Sequence, residues 1–399
     1  MTTFSGRFDL AVVGAGIIGL ATALAAVRRG LRVVVVDRDA QANGASVRNF
    51  GFITVTGQER GSMWARARRT REVWLEVAAA AGVQIVHRGL WMTARRPESA
   101  AVLEAFMGTE MAEGCSIMTP AAARRRFPQL RAPGLTAVLE STIELRVESR
   151  DAVPRIAAWL ADAHGVTFLR NATVHRIDLP AVCTSHGPLE AELVAVCPGD
   201  ELNGLYAERI GIYGITRCKL QMLRLGSPGC RLPAALMSDL GLIHYAGYAG
   251  LAPCDALKTR LQAEQADHVA RGVHLIVVQS ADGTLVVGDS HEYAATPDPF
   301  SRDAVDALIL DEFRAALGME PPPAIERWSG TYASAADRPV LIDVPEPGVR
   351  IAVVTSGAGA SSGFAIGEEV VASLLHDEKT MHDGTAMHDG AAMHDGAAI

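Results

Sequence analysis

The chain has 399 residues, 49% of them hydrophobic, which is more than one compact core holds and points to two domains. A formal net charge of -8 with 5% aromatic residues excludes a protein built to grip nucleic acid. The six cysteines form no CxxC and no Cys/His group has zinc spacing, so reduced thiols in a cytoplasmic protein are expected, and no metal.

Phe8 to Val13 reads as a buried strand, followed by "GAGIIG" and an Ala/Leu-rich helix to about Arg29. Leu10 to Val27 carries no charge and approaches the length of a membrane span. Its early glycines and β-rich start favour a strand turning into a helix, and it lacks the flanks of a signal peptide. Gly30 suits a helix C-cap, and "LRVVVVD" is a second buried strand ending at Asp37. Trp64 to Ala81 reads as an Arg-rich amphipathic helix with a solvated face, and Arg124, Arg125 and Arg126 read as solvated too.

From 143 to 215 the pattern is again α/β, with a helix in "DAVPRIAAWLADAHG" and strands in "VTFLRNATVHRI" and "AELVAVCPGD". Residues 216–324 differ: "TRCKLQMLRL", "GVHLIVVQS" and "TLVVGDS" are strands, "ADG" marks a hairpin, and a helix runs near Val305 to Leu317. "GVRIAVVTSGAGASSGFAIGEEVVASLL" then repeats strand, Gly turn and helix. The expected division is 1–85, 143–215 and 325–378 for one discontinuous α/β domain, and 86–142 with 216–324 for a mainly β-sheet one. The tail 379–399, a degenerate "MHDG" repeat, is expected to be disordered. Its His-Asp pairs offer no rigid tetrahedral metal site.

Gly14, Gly16 and Gly19 form GxGxxG between a strand and a helix, with Asp37 ending the next strand. The glycines let the backbone approach a pyrophosphate at a helix N-terminus, and Asp37 would accept hydrogen bonds from a ribose. Nothing in this unit separates NAD from FAD. The later turn, Gly357 to Gly363, favours FAD, since a helix N-terminus there would stabilise the charge that a reduced isoalloxazine gains. Gly199 in "VCPGD" gives another close backbone approach.

The N-terminal GxGxxG, the "GAS" of Gly44 to Ser46, "VCPGD" and the late Gly turn occur in the order found in the FAD-dependent D-amino-acid, glycine and sarcosine oxidase superfamily, which the chain resembles over nearly all its length except the tail. The resemblance implies an α/β fold: a Rossmann-like (GR2-type) FAD-binding domain with an inserted, mainly antiparallel β-sheet substrate domain of α+β character. It implies oxidation of a C–N bond with FAD as acceptor and molecular oxygen as oxidant. It also implies FAD contacts at Gly14, Gly16, Ile18, Gly19, Asp37, Arg38, Ser46, Asn49, Val174, Gly199, Gly357, Gly359, Ser361 and Ser362.

"GASVRNFG", "TGQ", "RRTREVWLE", "RCKLQML", "GDSHEY" and "TPDPF" together resemble a bacterial subfamily associated with aminophosphonate degradation. That resemblance implies oxidation of 2-aminoethylphosphonate, or its N-methyl form, to phosphonoacetaldehyde. Amino-acid oxidases commonly carry a Gly-x-Arg-Pro clamp for the substrate carboxylate. Here the stretch is "WSGTYASAADRP", with Tyr332 in that Arg position, so the bidentate clamp is missing. Thr331 and Tyr332 offer no thiol for a covalent flavin, so noncovalent FAD is expected.

The substrate anion then needs other cations. Arg48 is one candidate, either on the anion or bracing the FAD loop. In "TRCKLQML", Arg217, Lys219 and Gln221 alternate with apolar neighbours. If that polar face looks into the site, Lys219 shares the anion with Arg48; otherwise it meets solvent. Tyr332, His291 and Gln279 are further candidates, with His244 and Tyr245 behind them, while His274 reads as a core histidine. Two rivals stay open: an oxidase or dehydrogenase of sarcosine-like or glycine-like amines, and a flavoprotein scaffold without turnover. The expected partners are a small anionic amine and oxygen, with no nucleic acid and no membrane, in a monomer or small homo-oligomer.

Overall fold

The computed structural model describes the backbone of residues 6–389 and the side chains of 6–376; helix runs on through 379–389, the first half of the tail expected to be disordered, and 390–399 lie outside the described residues. Among the described residues the strands form two sheets.

The first sheet starts with β1 (Arg7–Val13) and β2 (Val33–Val36). All four valines of β2 are buried, as suits a parallel strand covered on both faces. β1 lies between β2 and β10 (Gly187–Val196), parallel to both. β7 (Thr167–Leu169) continues the parallel set beyond β2, and β18 (Val349–Val354) beyond β10. β17 (Val340–Asp343) closes that edge antiparallel, and the β8–β9 hairpin (Val174–Asp178, Ala181–Thr184) adds to β10. Helix α1 (Ile17–Val27) is buried over almost its whole length, packed between this sheet and the C-terminal helix Gly359–Asp389.

Helix α2 (Ser62–Ala80) departs from the expected solvated face. Arg66 pairs with Glu369 at 2.8 and 2.9 Å, and Arg69 with Glu368 at 3.0 and 2.8 Å. These bidentate pairs fasten α2 to the C-terminal helix, so half of the Arg-rich face is a helix–helix contact. Arg126 is more than half exposed but pairs with Glu140.

The second sheet is mainly antiparallel, in the order β15-β11-β14-β13-β12-β4-β6-β3. Its strands are β3 (Phe52–Ile53), β4 (Ile85–Ala94), β6 (Ala137–Val147), β11 (Thr216–Leu225), β12 (Ala235–Ser238), β13 (Ile276–Gln279), β14 (Leu285–Gly288) and β15 (Glu292–Ala294). β5 (Cys115–Met118) pairs with β6, and β16 (Ala324–Ser334) pairs with β11 along its length. The expected boundaries at 142 and 324 therefore fall inside or at the start of continuous strands of this sheet. β16 reads as a return to the first unit only if its pairing partner is ignored. Helix Asp303–Leu317 covers this sheet. No described helix is long and apolar enough to cross a membrane.

Candidate active site

The strand ends of the first sheet build one side of the site. Gly14 has φ +105°, and a Cβ there would stand 2.4 Å from the Cys197 carbonyl oxygen, so the turn needs glycine. α1 opens at Gly16 without a side-chain cap. Its Ile17 N–H donates to Ser46 Oγ at 2.9 Å, and the Ala15 N–H to Asp37 Oδ2 at 2.5 Å. Asp37 thus sits at the mouth of the glycine loop, where an acid meets the hydroxyls of a ribose. Ser46 and Asp37 take the N–H groups of Ile17 and Ala15, and the N–H groups left at this positive helix end make a fitting cradle for a pyrophosphate. Gly19 lies in the first turn of the same helix. Arg38 points outward to Glu201 at 2.7 Å. Val174 is buried with Val34 and Val36 in the core behind Asp37, away from the cavity wall.

The second cradle is the start of the C-terminal helix. Gly357, Gly359 and Ser361 line one cavity together with Ile18, Ser46, Asn49 and Gly199. Ser361 Oγ accepts from the Thr54 N–H at 2.9 Å, tying the helix to β3. Ser362 turns back on the Ala358 carbonyl at 2.8 Å. Asn49 braces its own loop, donating to the Ala45 carbonyl and accepting from Gly51 N–H and Ser149 Oγ. Two helix N-termini therefore border one cavity, as a flavin dinucleotide stretched between them requires.

The opposite wall comes from the second sheet. Arg48 lines the cavity; Trp328 Nε1 donates to its carbonyl oxygen at 3.1 Å, and its guanidinium has no ion-pair partner among the described residues. Tyr332 and His291 line the same cavity, their ring centroids 6.3 Å apart. Burial pushes the Tyr332 hydroxyl far above its ordinary range, so it acts as a neutral donor.

Lys219 and Gln279 are elsewhere. The polar face of β11 is covered by the 298–306 segment, so Lys219 Nζ donates to the Phe300 carbonyl at 2.5 Å and Gln221 bonds Asp306 at 2.8 Å. The apolar face, through Leu220, is the one on the cavity. The alternation in the strand was legible; which face met the site was not. Gln279 spends its side chain on the Leu232 N–H and on the carbonyls of Cys230 and Gly283, bracing a turn.

Sequence reasoning named His291, His244 and Tyr245 singly and missed that they meet His274 and Asp289 in one polar cluster on the cavity wall. His244 and Tyr245 arrive on a 3-10 segment, Asp239–Ile243, that carries no clear periodic signal. His274, read as a core residue, lines the cavity, as does Asp289. Asp289 and His291, two apart in "GDSHEY", could have been paired from their spacing. His274 Nε2 lies 3.3 Å from His291 Nε2, and His274 Nδ1 lies 3.3 Å from Asp289 Oδ1. Burial pushes the Asp289 carboxyl up to about 8 and holds the His291 imidazole down at about 4. His244 is exposed on the cavity wall, and the protein around it, then His291, pushes its imidazole down.

The ligating atoms of the three histidines lie within 4.8 Å of one another. His244 and His274 are nevertheless stacked, with centroids 3.8 Å apart and planes 23° from parallel. Ring lone pairs lie in the ring planes, so rings stacked this way do not aim at one ion.

A family model described as FAD dependent oxidoreductase matches residues 9–373. The fold is similar to glycine oxidase from Bacillus cereus, with a TM-score of 0.74 at 16% identity, covering 92% of this chain and 95% of that one. It is similar to L-amino acid deaminase from Proteus vulgaris, with a TM-score of 0.71 at 17% identity over 94% of this chain and 95% of that one. It is also similar to an FAD-bound L-alpha-glycerophosphate oxidase from Mycoplasma pneumoniae, with a TM-score of 0.71 at 15% identity over 92% and 95%. No curated protein matches the chain in sequence.

Proposed function

Because the chain belongs to the FAD dependent oxidoreductase family, we propose that it oxidises the C–N bond of a small anionic amine, with an aminophosphonate as the preferred substrate. In this reading 2-aminoethylphosphonate, or its N-methyl derivative, gives phosphonoacetaldehyde and ammonia or methylamine. Water supplies the aldehyde oxygen, and oxygen is reduced to hydrogen peroxide.

Bound FAD supplies the hydride acceptor. The residues do the positioning. Arg48, whose backbone is pinned and whose guanidinium is unpaired, binds the acid group of the substrate. Tyr332 offers a neutral hydroxyl to the same group. Phe50, Phe52 and Leu220 line the cavity with apolar surface and keep water from the reacting carbon. The observation that carries the reading is Arg48 as a free cation on the cavity wall, with Tyr332 where a carboxylate clamp would stand. The resemblance of the long motifs supports the phosphonate over the carboxylate.

A glycine- or sarcosine-type substrate is the second reading, favoured by a single free guanidinium, which matches the single charge of a carboxylate. The two are separated by product: phosphonoacetaldehyde from the aminophosphonates supports the first, and glyoxylate from glycine and sarcosine alone supports the second.

A further inference from the structure

Asp289, His274 and His291 form a chain along the cavity wall that substrate binding leaves unused. His291 Nδ1 lies 2.9 Å from the Gly272 carbonyl oxygen, which only accepts, so Nδ1 carries the ring proton. Nε2 of the neutral ring is then bare, and it faces His274 Nε2 at 3.3 Å. On the other side of His274, Nδ1 and Asp289 Oδ1 stand 3.3 Å apart, and neither has another hydrogen-bond partner among the described residues. With Asp289 ionised, the His274 proton belongs on Nδ1, facing the carboxylate. Two bare nitrogens then confront each other across 3.3 Å, and one proton between them resolves the repulsion.

A C–N oxidation has a proton to place. Hydride leaves the carbon only when the nitrogen lone pair is free to form the C=N bond, and a small amine reaches the cavity as its ammonium ion. We propose that the His274–His291 pair, positioned by Asp289, takes this proton from the bound substrate. The substrate N–H bond breaks and an N–H bond forms at His274 Nε2, shared with His291 Nε2. The Asp289 carboxylate balances the imidazolium, no electrons move in this step, and the free amine is left ready to be oxidised. The inference rests on the amine reading above.

Burial, then His244 and His291, holds the His274 imidazole well below its ordinary value, so it takes a proton only beside the ionised Asp289 carboxylate. Burial holds the Asp289 carboxyl up to about 8, so it is protonated below that pH and cannot balance an imidazolium, and is ionised above it. Facing it are His244, held down, Tyr245, raised well above its ordinary value, Tyr293 and Cys218, each raised to about 12, and the raised Tyr332. All are neutral at pH 7–8, and no arginine or lysine pairs with Asp289 among the described residues.

The test follows anaerobic flavin reduction at saturating amine against pH, in the native holoenzyme and in Asp289→Asn and His274→Gln. The probes are 2-aminoethylphosphonate, its N-methyl derivative, glycine and sarcosine. The native limiting rate rises as pH passes about 8, at the same pH for every amine that reacts. Both variants are slowed on the order of a hundredfold, the limb shifts or vanishes, and FAD content is kept. Infrared difference spectra give a second readout: a carboxylic-acid band present below about pH 8 in the native protein and absent in Asp289→Asn. Unchanged limbs in both variants overturn the proton relay and leave the amine reading standing, as does one equivalent of transition metal in the purified holoenzyme. A flavin that none of the four amines reduces sinks both.

Discussion

Trp328 Nε1 donates to the Arg48 carbonyl oxygen at 3.1 Å, so the second sheet holds the backbone of the loop whose side chain faces the cavity. Arg48→Ala removes the cation and keeps the loop. A charge-assisted hydrogen bond is worth roughly 1.5–3 kcal/mol, so kcat/KM falls about tenfold to a hundredfold. The flavin-to-protein ratio is unchanged. Trp328→Phe removes only the tether and costs about fivefold. Loss of flavin from Arg48→Ala, with KM intact, would assign the arginine to the cofactor.

Lys219→Met separates substrate binding from structure. The amine bonds the Phe300 carbonyl on the covered face of β11. The variant keeps its KM and loses about 1–3 kcal/mol of stability, read as a lower urea midpoint.

Gly357→Ala tests the second cradle. Gly357 has φ +70°, and a Cβ there would meet the Tyr332 ring at 3.1 Å, so alanine strains the turn and presses on the ring. The purified variant carries less FAD, and added FAD restores part of its absorbance.

Asp289 also sets a slope in stability. Its carboxyl rises from 3.8 to about 8 on folding, so the folded state holds a proton that the unfolded chain has released between those values. That contribution is full below the ordinary carboxylate range and is lost as pH rises through about 8. The native Tm falls over this window, and Asp289→Asn flattens the fall. Parallel Tm profiles would show that the carboxyl is ionised in the folded protein.

A flavin held without a covalent bond is the expected outcome, since Thr331 at the cavity wall offers no thiol. Acid precipitation leaves the yellow colour in the supernatant. Colour in the pellet would mean a covalent link through another residue.

The parts legible in the sequence were those governed by local rules. The β1–α1–β2 unit follows from an all-valine strand, a glycine turn and an Ala/Leu helix, each of which restricts the backbone by itself. The strand of Lys219 was equally legible, but its inner face was decided by the 298–306 segment that covers it, a contact about 80 residues away in sequence. The membership of β16 depended on the same partner strand. The histidine cluster was hidden for the same reason: His244, His274 and His291 come from three separate connecting segments, and only the folded sheet brings their rings together.

The most direct measurement is anaerobic bleaching of the oxidised-flavin band by 2-aminoethylphosphonate, its N-methyl derivative, glycine and sarcosine, side by side. Rapid bleaching by one or both phosphonates, with little by the carboxylates, is the predicted result. Bleaching by glycine or sarcosine alone would contradict it and make this an amino-acid oxidase whose carboxylate clamp has moved to Arg48.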